Sequence, residues 1–192
     1  SALFQNPANM ATSRVYHAAA LLQIWPEASR QSYGVGAVDS VGSSSRIAGG
    51  LGATWSRQDP DGVDRTASDL RFAFAYPLSD KVFAGAGGRF MWLSENGPGP
   101  LGPSYASSGL EGDKILKNFA FDLGLTLKPG KGLSLSLVGN NLNGADTGFQ
   151  PLTLGGGIGF VKDKFGIEAD LVTDLVTWDR TTLRGMAGAE LL

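Results

Sequence analysis

Cysteine is absent from the 192 residues, which excludes disulfides, thiol catalysis and thiolate metal sites and suits an oxidising compartment. Charge is thin as well: 18% of residues are charged and the formal net charge is −2. That balance gives no reason to expect nucleic acid or an anionic lipid surface as the main partner. No stretch approaches the roughly 20 apolar residues of a membrane-spanning helix. A chain that spans a bilayer without one has to be a closed β-barrel, since lipid cannot satisfy open sheet edges. Ser1 does not open a signal peptide, so any export signal has been removed or lies outside this sequence. A single histidine, His17, leaves one candidate for imidazole chemistry.

What is present is alternation. Phe119, Phe121, Leu123, Leu125 and Leu127 take every second place, as do Leu70, Phe72, Phe74 and Tyr76. Successive side chains of a strand point to opposite faces, so each such stretch has one apolar and one polar face. The pattern predicts ten strands over residues 14–24, 32–40, 46–56, 66–78, 82–93, 118–128, 133–141, 152–161, 165–175 and 182–191. Most match the length of about 9–11 residues that crosses a bilayer at a tilt. Tight turns at 41–45, 79–81, 129–132 and 162–164 alternate with roomier connections at 26–31, 57–65, 94–117, 142–151 and 176–181. Short turns at one end and longer loops at the other are the asymmetry of outer-membrane barrels. A barrel so oriented has both chain ends on the periplasmic side.

Aromatics cluster at both strand ends. Trp25, Tyr33, Trp55, Trp92 and Phe119 fall at the loop-rich end, and Tyr76, Phe160 and Phe165 at the turn-rich end. Two belts of amphipathic rings mark two headgroup zones, although Trp25 is out of phase with Leu22 and Ile24 and can point inward. The fold expected is all-β, an antiparallel up-and-down transmembrane barrel in which residues 1–12 form a separate N-terminal plug or periplasmic segment and 13–192 the wall.

The polar faces carry Asp69, Arg71, Arg89, Asp122, Glu168, Asp170, Arg184 and Glu190. Charges facing hydrocarbon cost roughly 2–4 kcal/mol each near the midplane for Arg or Lys, so these eight are expected to line the lumen. Mixed signs point to cross-strand pairs more than to an ion-selective field. Gly85, Gly87, Gly88, the run 155–157 and Gly159 resemble pieces of nucleotide loops, but no helix follows them to hold a phosphate. Inside strands they mark curvature or the close approach of another segment, as an inserted plug would need.

His17 with Ser13 or Ser32 could form a lipase-like pair, yet no third partner or motif supports it, and no enzyme is expected. Asp59, Asp61 and Asp64 could hold calcium, but their spacing departs from the EF-hand pattern and fits a solvated turn better. No cofactor or metal is expected.

The opening segment Ser1-Ala2-Leu3-Phe4-Gln5-Asn6-Pro7-Ala8-Asn9-Met10-Ala11 resembles the "SA-(aromatic)-NPAG-(aliphatic)-A" segment of FadL-like outer-membrane proteins. That superfamily includes long-chain fatty-acid and aromatic-hydrocarbon transporters and PorV-type barrels of secretion systems. Asn6, Pro7 and Ala8 match, while Asn9 stands where the family usually has Gly. Val138-Gly139-Asn140-Asn141-Leu142 and Gly188-Ala189-Glu190 also look like strand ends of these barrels. The resemblance implies about fourteen strands with the N-terminal segment in the lumen. Ten are visible here, and Leu191-Leu192 replaces the usual terminal aromatic. The chain is therefore either part of a larger barrel or a small relative closing on ten strands.

The function expected is passive transport of small, hydrophobic molecules across the outer membrane of a Gram-negative bacterium, with Phe4, Asn6, Pro7 and Met10 as plug or gate. The alternative is a non-conducting barrel that anchors or assembles a larger cell-envelope complex, its loop at 94–117 or its turns forming the contact surface. An enzyme and a soluble lipocalin-like binder rank below both. Expected partners are outer-membrane lipid, hydrophobic small molecules and other envelope proteins, and no nucleic acid.

Overall fold

The computed structural model describes residues 2–41, 46–59, 62–96, 114–143, 150–177 and 180–191. The alternating stretches form β1 (Tyr16–Trp25), β2 (Arg30–Asp39), β3 (Ala48–Gln58), β4 (Asp64–Pro77), β5 (Val82–Asn96), β6 (Lys114–Gly130), β7 (Leu133–Asn140), β8 (Thr153–Lys162), β9 (Phe165–Asp174) and β10 (Thr182–Leu191). They lie in one antiparallel sheet in chain order, each strand hydrogen-bonded to the next. Ahead of them come a helical turn, α1 (Ala2–Gln5), and a 3₁₀ helix over Pro7–Ala11.

Three strands outrun the apolar alternation. β4, β5 and β6 have 14, 15 and 17 residues, so parts of the connections expected at 57–65 and 94–117 are ladder instead. Polar pairs extend it. The Thr66 and Ser94 hydroxyls lie 2.6 Å apart, Arg65 pairs with Glu95 at 3.1 Å, and a register shift at Leu93/Ser94 absorbs an irregularity. The rest of the long connection, 97–113, lies outside the described residues, as do Asp61, most of the turn at 41–45, part of the connection at 142–151, and Leu192.

Closure is the expectation these strands do not meet. β1 pairs with β2 and β10 with β9, and no ladder joins β1 to β10 among the described residues. Nearly all residues of both edge strands are exposed. The concave side holds the N-terminal segment, and an arc of ten strands wrapped around it does not come full circle; a wider girth needs more strands.

Register sorts the side chains into two faces. Gly52, Arg71, Arg89 and Ala120 are successive partners across β3–β6, and Ser136, Gly157, Asp170 and Met186 across β7–β10. The opposite face carries Val35, Leu51, Phe74, Leu125, Leu137, Ile158 and Leu171, all exposed, with Leu51 at 65%. The convex face is thus bare and apolar, while Asp69 on the concave face is only 11% exposed at its side chain. The buried cluster is Leu3 and Met10 packed on Val38, Ala48, Ala73 and Ala75. It lies on the concave side, between the N-terminal segment and β2–β4.

Candidate functional site

The site begins with Asn6. Its extended backbone precedes Pro7, and its side-chain oxygen accepts from the Ala8 amide at 3.0 Å. This is an N-cap, with proline at the first helical position where no amide donor is needed. The remaining Asn6 amide donates to the Leu137 carbonyl at 3.3 Å, tying the cap to β7. Two residues past the proline, Asn9 accepts from the Thr126 hydroxyl of β6 at 2.7 Å. Asn9, the departure from the resembled motif, is therefore a docking contact.

The wall is shaped to receive this segment. A Cβ at Gly85 of β5 would collide with the backbone of Pro7 and Ala8, and one at Gly124 of β6 with the Asn6 side chain. Gly50 faces Met10 and Leu3, and Gly52 faces Phe4 and Leu3. The expectation that strand glycines admit another segment holds for Gly85. The run at 155–157 does something else: Gly157 leaves room for the Asp170 carboxylate and the Ser136 hydroxyl, and Gly159 for the Ser134 hydroxyl.

Of the four expected gate residues, Asn6, Pro7 and Met10 are buried. Phe4 is not. It stands at the segment's tip, where the Arg71 guanidinium carbon lies 5.0 Å from its ring centre and Arg71 Nη1 donates to its carbonyl at 3.1 Å. Arg71 is oriented by Asp69, whose carboxylate accepts from its Nε and Nη2 and also from Arg89 Nε at 2.8 Å. One acid thus serves two arginines, which are direct cross-strand partners. Without Asp69 they would face each other as like charges.

All eight expected wall charges share the concave face by register, but among the described residues only Asp69, Arg71 and Arg89 form ion pairs there. Asp122 instead accepts from the Asn141 amide at 2.8 Å. Glu168, Asp170, Arg184 and Glu190 have no ion pair among the described residues. Register separates the β9 acids from the β4–β5 arginines: β7 and β8 present only Ser, Gly, Val, Asn and Thr between Asp122 and the β9 acids. The expected cross-strand pairing is confined to β4–β5.

A cavity of about 550 Å3 opens beside the cluster, lined by Phe4, Asn6, Arg71, Arg89, Asp122, Ser136, Asn140, Thr153, Glu168 and Asp170 among others. A second, apolar cavity of about 370 Å3 lies toward β1–β2, lined by Leu3, Phe4, Ala19, Leu21, Gly36 and Val38 among others. Phe4 lines both.

Sequence reading missed the asparagine clasp after β7. Asn141 adopts positive φ (56°) and donates to the Pro151 carbonyl, while Asn143 bonds both the Phe119 carbonyl and the Phe121 amide of β6. These side chains finish the ladder where β7 ends. The run Asn140-Asn141-Leu142-Asn143 was the available signal, since Asn tolerates left-handed backbone and mimics main-chain partners.

The remaining candidates are dispersed. His17 is a register partner of Val38, whereas Ser32 partners Gln23 six residues along β1. Ser13 offers its carbonyl to Ser40. Asp64 is taken by Arg57 at 2.6 Å. No family model, curated protein or solved structure matches this chain, and the site is read from its own geometry.

Proposed function

We propose that this chain is wall and plug of an outer-membrane β-barrel of FadL-like type, through which small hydrophobic molecules pass passively. The observation that carries the reading is the pairing of two faces. A convex surface of exposed Leu, Ile, Val and Phe backs a concave surface of Gly, Ser and charged side chains on which the N-terminal segment sits. A water-soluble binding barrel needs the reverse, because exposing so broad an apolar surface to water is unfavourable. In lipid the free edges of β1 and β10 require partners as well, so the reading demands that both edges be paired in the inserted protein, by each other, by a second copy or by further strands. Passage then consists of withdrawing Phe4 from between the two cavities.

A non-conducting anchor is the second reading, favoured by one observation. The N-terminal segment is bonded to β4, β6 and β7 by side chains, which suits a permanent seal.

Liposome flux separates the two. With transport, vesicles holding the protein exchange a small hydrophobic solute, and Phe4→Ala raises the rate several-fold. An anchor gives no flux with either protein. A chain that stays monomeric and dispersed without detergent would sink both readings.

A further inference from the structure

The net charge of −2 hides an uneven distribution of lysine along the strand axis. At the turn end, Lys81 follows β4, Lys128 and Lys131 flank the β6–β7 turn, and Lys162 and Lys164 flank the β8–β9 turn. These turns form one rim. The Lys128 amide donates to the Lys81 carbonyl at 2.7 Å, and the Val161 amide to the Gly132 carbonyl at 2.9 Å. The backbone thereby stitches three hairpins into a continuous arc over β4–β9. None of the five ammonium groups has an ion-pair partner among the described residues. The acids on the arc are Asp80, which pairs with Arg46 of the neighbouring turn at 3.3 Å, and Asp163. Glu190 lies on the concave face near the end of β10.

The loop end is built differently. Its Arg57 and Arg65 are engaged by Asp64 and Glu95, Arg30 lies over the Trp25 ring, and Glu27, Asp59 and Asp174 add negative charge. Lys117 and Arg180 also stand near this end without an ion pair among the described residues, so what sets the turn end apart is five lysines on one stitched arc.

We propose that this lysine rim binds the phosphate headgroups of anionic phospholipids in the leaflet that the turn end meets. The inference rests on reading the convex face as lipid-facing. Three features favour headgroups over an acidic protein. The cations follow an arc instead of filling one concave patch. The arc reaches the convex apolar face, where Tyr76 and Phe165 stand exposed and Lys162 is the register partner of Phe165. All five are Lys, whose flexible stem lets a point charge follow fluid phosphates without the fixed fork geometry of Arg.

The test uses the full chain, first inserted into vesicles of phosphatidylcholine with and without phosphatidylglycerol, then extracted in mild detergent for native mass spectrometry of the retained lipid. The expected result is retention of phosphatidylglycerol over phosphatidylcholine by roughly tenfold at low salt, falling as salt rises. Changing all five lysines to Gln should erase the preference, and changing them to Arg should keep it. Equal retention of both lipids by the unaltered chain overturns the proposal, and so does a preference that survives in the Gln variant. If such a rim serves an acidic protein, the unaltered chain shows no lipid preference. Failure to enter either vesicle sinks the membrane reading itself, whereas insertion without preference sinks only the rim.

Discussion

Asp69 balances two cations at once, and among the described residues it is the acid that forms an ion pair with each of them. Arg71 and Arg89 are cross-strand partners on β4 and β5, both with side chains 17% exposed, and each is turned toward the same carboxylate. Breaking a largely buried pair by removing one member leaves an uncompensated charge, at a cost of about 3–5 kcal/mol. Asp69→Asn should therefore lower the urea midpoint of the detergent-folded protein, and adding Arg89→Gln should recover part of the loss by removing the repulsion. An unchanged midpoint in the single variant would mean that water already screens the cluster. That Asp69, Arg71 and Arg89 face inward was legible from alternation alone. That Asp69 lies between the arginines, and that Asp122 belongs to Asn141 instead, was not, because those partnerships depend on register between strands far apart in sequence.

At the scale of elements, the N-terminal segment is a preformed turn seated in a glycine-lined bed. Its cap is encoded locally in Asn6-Pro7, so the turn was foreseeable; its berth was not, since Gly85 and Gly124 become neighbours only when β5 and β6 pair. Gly124→Ala places a methyl group against Asn6. Overpacking of this kind costs typically about 1–3 kcal/mol, and here the N-terminal segment gives way before the paired strands do. Hydrogen exchange at residues 2–11 should accelerate in Gly124→Ala while β8 and β9 exchange as before. Gly185→Ala, where an added methyl meets nothing within 4 Å, should leave the segment protected. Asn6→Ala removes the cap and the bond to Leu137, and should speed exchange in the same residues, with a cap typically worth about 1 kcal/mol.

For the whole molecule the decisive property is which face meets which solvent. Adjacent residues of β7 provide a clean comparison. Leu137 is exposed on the convex face, and Ser136 points to the concave face opposite Gly157 and near Asp170. Leu137→Arg should impair insertion, at about 2–4 kcal/mol if the position lies near the bilayer midplane. Ser136→Arg should insert normally, its cation meeting Asp170. The measurement is the fraction of chain resistant to urea extraction from liposomes. Equal behaviour of the two variants would remove the distinction between the faces.

Period-two alternation, the order of short and long connections, and the Asn6-Pro7 turn were written in the amino-acid sequence, because each depends on residues a few positions apart. Strand count and the in/out assignment of Phe72, Leu125, Arg71 and Asp122 followed from these. Tertiary structure decided the seat of the N-terminal segment, the pairing of some wall charges and the isolation of others, the open edges at β1 and β10, and the gathering of five turn lysines onto one rim. Those features arise from interstrand register and from the curvature of the sheet, which bring together residues as distant as Asn6 and Leu137. No local pattern carries that information.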